Sequence, residues 1–93
     1  MLFRSVQFIF RSLDENAAQN YTVGEIVTGS ITGITATVTA WDATTKTLTV
    51  NSVVENNGNS LWNNNEIITG AGTGAAGTIL RILFPSAVRN EPD

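Results

Sequence analysis

The sequence predicts an all-β fold, a small antiparallel barrel or sandwich built from two similar halves, with an N-terminal arm. The first observation is an internal repeat in which residues 21–41 match residues 62–82 without a gap, and such repeats define the supersecondary unit. The second is a two-residue alternation of apolar and threonine side chains, which is the period of a half-buried strand. The third is that no stretch between residues 21 and 84 combines a helical period with capping residues.

The N-terminal segment, residues 1–17, precedes the repeat and is predicted to be an arm or a strand. Its aromatic and β-branched content favours a strand over about residues 3–11, although some of its apolar residues also have helical spacing. Two roles remain open for this segment. In the first it is a strand that completes the chain's own sheet, and in the second it is an interface that pairs with a neighbouring subunit by strand addition. The candidate interface residues are large and apolar: Leu2, Phe3, Val6, Phe8, Phe10 and Leu13.

Each repeat then contains a short strand that ends in glycine, "EIVTG" in the first half and "EIITG" in the second. We expect Gly29 and Gly70 to adopt positive φ, a conformation that glycine tolerates at little cost. Glu25 and Glu66 begin these strands at equivalent positions. Two carboxylates can form a glycosidase pair, but their equivalence favours one shared structural role, in which each accepts hydrogen bonds from turn amides.

A longer strand follows in the first half, over "TATVTAW", and its alternation predicts that Ala36, Val38 and Ala40 share one face. "WDATTKT" reads as a hairpin connection in which Asp42 accepts hydrogen bonds from turn amides. The next strand, "KTLTVNSVV", places Leu48 and Val50 on one face.

Residues 55–65, "ENNGNSLWNNN", form the most polar segment. Asn-Gly is a strong turn signal, which favours an asparagine-rich loop. A calcium loop is the alternative, but an EF-hand needs a closing glutamate and more carboxylate ligands than this segment offers.

Gly72, Gly74 and Gly77 have the G-x-G-x-x-G spacing of a dinucleotide-binding loop. That loop must open a helix, whereas "TILRILF" follows here and predicts a strand. The equivalent turn of the first half also lacks two of the three glycines. We therefore predict a turn without a bound cofactor. Because Ala36 stands at the position equivalent to Gly77, Gly77→Ala is expected to cause only a modest loss of stability.

Composition excludes several function classes. The chain has no Cys and no His, so disulfides, thiolate metal sites and the commonest general base are absent. Its net charge is −3 and its few basic residues are scattered, whereas nucleic-acid binding needs them clustered. No apolar run approaches the ~20 residues of a membrane-spanning helix. Trp41 and Trp62, with Tyr21, are candidates for a sugar-stacking platform, although such aromatic residues are more often core anchors.

The repeat resembles a β module that recurs in structural proteins of tailed bacteriophages, notably cyanophages and T4-like phages. The resemblance covers about residues 21–82. It rests on Gly24–Glu25, Thr35–Val38 and Asp42 in the first half, and on Glu66 and Thr73–Ala75 in the second. Two residues depart from the family pattern, Ile34 in place of a small residue and Asn65 in place of glycine.

The resemblance implies a virion protein without catalytic residues, metal or cofactor. The domain would span residues 18–85, followed by a tail at residues 86–93. The short chain favours a capsid decoration, or cement, protein, which is expected to form a homo-oligomer on the major capsid protein. A component of the tail, baseplate or fibre is the alternative, and a carbohydrate-binding adhesion module is a third possibility.

Overall fold

The computed structural model describes residues 5–56, 58–59 and 61–84, and these form six β-strands without a helix. In chain order the strands are β1 (Val6–Leu13), β2 (Ile26–Gly29), β3 (Thr35–Asp42), β4 (Thr47–Val54), β5 (Ile67–Gly70) and β6 (Ala76–Leu83).

The strands close into one barrel in the order β1-β4-β3-β2-β5-β6, with β6 returning to β1. Every neighbouring pair is antiparallel. The predicted all-β fold is therefore confirmed, and of the two architectures considered, the barrel is the one observed. Closure gives each of the six strands a paired neighbour on both sides, which removes the free edges of an open sheet.

The internal repeat extends over all six strands. Each strand of the second half begins and ends 41 residues after its counterpart in the first half. Val6–Leu13 thus corresponds to Thr47–Val54, and Thr35–Asp42 corresponds to Ala76–Leu83. The repeating unit is thus three strands long, and it includes the segment that the sequence placed outside the repeat. Four pairings (β1–β4, β1–β6, β3–β4 and β2–β5) join the two halves, and only β2–β3 and β5–β6 lie within a half.

The core fills the barrel, because strand residues alternate between the interior and the surface. Val27 and Ile68 occupy equivalent places on the two short strands, and Leu48 and Val50 point inward as the alternation predicted. The buried apolar residues are Val6, Phe8, Phe10, Tyr21, Val27, Ile34, Ala36, Val38, Leu48, Val50, Trp62, Ile68, Ala75 and Ile79.

A β-bulge changes the faces predicted for β3. The pairing of β3 with β4 shifts between Val38 and Ala40, and one extra residue in a strand reverses the alternation beyond it. Ala40 is consequently exposed, whereas Trp41 is half-buried against the core. The prediction that Ala40 shares a face with Ala36 and Val38 is therefore wrong.

The N-terminal segment is the first strand of the chain's own barrel, which is the first of the two roles considered for it. β1 pairs with β4 on one side and with β6 on the other. Val6, Phe8 and Phe10 are at most 4% exposed, so they are core residues and cannot form the interface proposed for them. A strand paired on both sides also cannot be added to a neighbouring sheet.

The remaining candidate interface residues are placed differently. Leu13 is half-buried and packs against the core. Leu2 and Phe3 lie outside the described residues, as does the tail at residues 86–93.

Candidate functional site

Two glutamates each hold a turn that belongs to the other half of the barrel. Glu66 immediately precedes β5, and its Oε2 accepts hydrogen bonds from the backbone N–H groups of Ile31 (3.0 Å) and Thr32 (2.8 Å). The Thr32 hydroxyl donates to the same oxygen at 2.8 Å. Oε1 accepts the N–H of Asn63, three residues before it, at 2.8 Å. One carboxylate therefore connects its own loop to the β2–β3 turn.

Glu25 repeats this arrangement from the first half. Its Oε1 accepts the N–H groups of Gly72 (2.8 Å) and Thr73 (2.9 Å), and its Oε2 accepts the N–H of Thr22 (2.7 Å). The Thr73 hydroxyl also donates to Oε2, at 3.0 Å. The prediction that these glutamates bind turn amides is confirmed, with the addition that each one reaches the opposite half.

Gly29 and Gly70 are required by the close approach of these carboxylates. A Cβ at Gly70 would lie 2.6 Å from Glu25 Oε1, and one at Gly29 would lie 2.6 Å from the Trp62 ring and closer still to Glu66. Neither glycine has positive φ, so that expectation is wrong. Positive φ occurs instead inside the two turns, at Gly33 (76°) and Gly74 (79°).

Hydrogen bonding keeps both glutamates ionised. Burial alone would raise the pKa of Glu66, but hydrogen bonds from Thr32, Asn63 and Ile31 outweigh it and hold that pKa below its ordinary value. Burial likewise opposes ionisation of Glu25, and donors on Thr22, Thr73 and Gly72 lower its pKa. An ionised carboxylate surrounded by donors is an acceptor, and it has no proton to give in general acid catalysis.

The two equivalent turns differ in how they are covered. Asn56, from the polar loop, donates through Nδ2 to the carbonyl of Thr32 at 2.9 Å and lies over Gly33. Glu66 beneath this turn is fully buried. Apart from its chain neighbours, no described residue has a heavy atom within 4 Å of a Cβ built on Gly74, and Glu25 is half-buried. Asn56 of the polar loop therefore anchors and covers the turn that Glu66 binds.

That loop was the candidate calcium site. Asn59 also donates to the Thr32 carbonyl, at 3.5 Å, and the backbones of Asn56 and Asn59 form a two-residue bridge. The side chains of Asn56 and Asn59 thus act as hydrogen-bond donors to a turn. Within residues 5–56, 58–59 and 61–84, no group of three or more His, Cys, Asp or Glu side chains is assembled.

The aromatic residues considered for sugar stacking pack against other aromatic rings of the barrel. Trp62 is 3% exposed, meets Phe8 edge-on at 4.8 Å between ring centroids, and donates from Nε1 to the carbonyl of Ile34. Trp41 packs edge-on against Tyr21 at 4.9 Å. Sugar stacking needs an exposed ring face, which the buried Trp62 cannot supply. The alternative interpretation, that Trp62 is a core anchor, is therefore correct.

Tyr21 completes this aromatic cluster and links it to the second half. Its hydroxyl donates to the carbonyl of Ile68 at 2.6 Å, and burial raises the pKa of that hydroxyl. Trp41 Nε1 donates a hydrogen bond to Asn20 Oδ1 at 2.9 Å, which links this indole ring to a surface loop.

The glycine-rich segment is the β5–β6 turn and the start of a strand. Gly74 N–H donates to the carbonyl of Gly70 at 2.8 Å, just as Gly33 does to Gly29 at 3.0 Å. Gly77 lies within β6, where a dinucleotide loop would begin a helix. The turn interpretation is thus confirmed.

Gly77 nevertheless differs from its counterpart Ala36 in its surroundings. A Cβ at Gly77 would lie 2.8 Å from the Phe10 ring and 2.9 Å from Leu13. The first strand supplies these bulky neighbours, so the expected tolerance of Gly77→Ala has no structural basis.

Sequence reasoning identified both glutamates but missed their threonine partners. Thr32 and Thr73 each donate through backbone and hydroxyl to a carboxylate, and each hydroxyl also accepts the N–H two residues on. The recurring Thr-Gly pair seven residues after each glutamate was the available signal. The role of Asn56 had no such signal, because its partner lies 24 residues away.

Searches of family models, curated proteins and solved structures returned no match to this chain. The likeness to phage modules therefore rests on the motifs quoted above. In the part of the chain that the structure describes, no helix is long and apolar enough to cross a bilayer.

Proposed function

We propose that this chain is a non-catalytic structural protein of a bacteriophage virion, and specifically a small capsid decoration protein. The motifs shared with phage β modules support the virion assignment. The observation that carries the non-catalytic part is the engagement of Glu25 and Glu66, the two repeated carboxylates, by turn donors of the opposite half.

The barrel's construction suits such a role. Both glutamates join its halves, and most of its strand pairings do so as well. A closed barrel whose halves are joined in this way resists local opening, because no strand can separate without breaking pairs on both sides. Resistance of this kind is useful to a component that stabilises a particle surface.

The test is to locate the protein in purified particles of the phage that encodes it. Mass spectrometry of those particles should detect the chain, and immunogold labelling should mark heads. Labelling of tails would overturn the decoration assignment in favour of a tail, baseplate or fibre component. Absence of the chain from particles would overturn the virion assignment itself.

A further inference from the structure

One side of the barrel carries an uncharged surface that the described residues leave exposed or half-buried. It is formed by the outward residues of β2 and β5 and of the strand segments paired with them. All are isoleucine, threonine or alanine, and all are exposed or half-buried, whereas the residues between them point into the core. We call this surface the threonine face; it comprises Ile26, Thr28, Thr35, Thr37, Ile67, Thr69, Ala76 and Thr78.

The threonine face has its own approximate twofold symmetry. Thr28 and Thr69 are direct partners at its centre, where β2 pairs with β5. Ile26 and Ile67 stand at equivalent positions on either side, 44% and 42% exposed. Thr37 pairs with the first isoleucine and Thr78 with the second. Each side chain that one half of this face offers is therefore offered again by the other half, except that Ala76 stands in the place of Thr35.

Charge favours association of like copies through this face. The chain has a net charge of −3, so two copies repel each other weakly unless charged groups are kept apart. The threonine face contains no ionisable side chain, and covering it removes no charge from water. Interface cores are depleted of charged residues in the same way.

The closed barrel restricts how a second copy can bind. β2 is paired with β3 and β5, and β5 with β2 and β6, so association by an added strand is not available at this face. Contact must be made through side chains. A surface with an internal twofold suits an isologous contact, in which the same patch is used by both partners.

We propose that the threonine face is a self-association surface, on which a second copy of this chain packs. Four strands at their usual spacing and three rows of side chains cover about 400 Å² per copy. The resulting total of about 800 Å² is below the ~1,200 Å² of stable complexes, so the contact is weak and forms when copies are concentrated. This inference does not depend on the virion role.

The test is sedimentation velocity of the full chain at concentrations from about 0.01 to 1 mM. The wild-type sedimentation coefficient should rise with concentration. Thr28→Lys and Thr28→Glu should each reduce association at least tenfold, because each places a charge at the centre of the contact. An equimolar mixture of the two variants should restore it, because opposite charges then meet.

Thr44→Lys is the matched control, since it makes the same substitution in the exposed β3–β4 turn, and it should associate as the wild type does. Restoration by mixing cannot result from misfolding, so the test remains decisive if single variants lose stability. A wild type that stays monomeric throughout the range would overturn the proposal and leave the face to a different partner. Unchanged association of both Thr28 variants would also overturn it.

Discussion

Glu66 Oε2 lies 2.8 Å from both the backbone nitrogen and the hydroxyl oxygen of Thr32, although the two residues belong to different halves of the barrel. The Glu66 side chain is buried, so bulk water cannot take its place as the acceptor of these hydrogen bonds if it is removed. The contact therefore acts as a joint between the halves, and its counterpart at Glu25 does the same in a half-buried setting.

Glu66→Gln should destabilise the barrel more than Glu25→Gln. The glutamine amide carries no charge and directs an NH₂ group toward groups that are themselves donors. At the buried Glu66 site this lowers the free energy of unfolding by about 2–4 kcal/mol. At Glu25 water can enter, and about 1 kcal/mol is expected. Urea unfolding of the two variants measures the difference, and equal losses would contradict the importance of burial.

Acid should destabilise the protein through the same two groups. Both carboxyl groups have a folded-state pKa below the ordinary 4.5, so in acid the unfolded chain binds more protons than the folded chain. Their contribution is fully present above about pH 4.5 and is lost as the pH falls through the lowered folded-state pKa values. Urea unfolding between pH 7 and pH 2 should show this loss, with a shallower dependence in Glu66→Gln. An identical dependence in that variant would assign the acid sensitivity to other groups.

Gly70→Ala should be destabilising because of Glu25 specifically. The added Cβ would lie within 3 Å of three atoms of that carboxyl group, and a loss of about 2 kcal/mol is expected. In a Glu25→Ala background the same substitution should cost less than about 1 kcal/mol, since the obstacle is gone. A double-mutant cycle by urea unfolding measures the coupling, and strict additivity would show that another neighbour causes the loss.

Gly29→Ala provides the comparison for that cycle. Here the Cβ would also meet the buried Trp62 ring, which cannot move without disturbing the core. Gly29→Ala should therefore be more destabilising than Gly70→Ala.

Gly77→Ala should cost about 2–3 kcal/mol because it overpacks the core against Phe10 and Leu13. Thermal and urea unfolding check this value. Ala36, its counterpart in the first half, shows that the backbone position itself accepts a methyl group. A loss below about 0.5 kcal/mol would mean that the Phe10 ring shifts freely.

Deletion of residues 1–13 should abolish folding. It removes β1, which pairs with β4 and β6, and with it the buried Val6, Phe8 and Phe10. Each of these side chains contributes roughly 1.5–3 kcal/mol by burial, against a total stability of about 5–15 kcal/mol for a domain. Far-UV circular dichroism should show loss of β structure and of a cooperative thermal transition. A folded, soluble truncated chain would contradict this role of β1.

The elements that the sequence predicted well are those that local patterns determine. Glu25 and Glu66 with their short strands were visible because the repeat preserves them at a constant offset. β1 was not recognised as part of the repeat for two reasons. Its core residues Phe8 and Phe10 correspond to Leu48 and Val50, which is an offset of 40 rather than the 41 that relates the strand bounds. These residues also share only their apolar character.

Other features depend on contacts that sequence does not reveal. Gly29 and Gly70 are required because side chains from the opposite half approach them closely. Their position at the end of a short strand suggested positive φ instead, because the sequence does not show those contacts. The β-bulge after Val38 arises where β3 is fitted to β4, and no residue in "TATVTAW" marks it.

The pairing of Gln7 with Leu83 places the first and last strands side by side, at the same end of the barrel where they enter and leave it. A longer polypeptide can therefore carry this barrel within a surface loop, because entry and exit require almost no separation in the host. The repeat supplies a second such point at the β3–β4 hairpin, where Asp42 pairs with Thr47. Joining the ends and opening that hairpin would yield a circularly permuted chain with the same barrel.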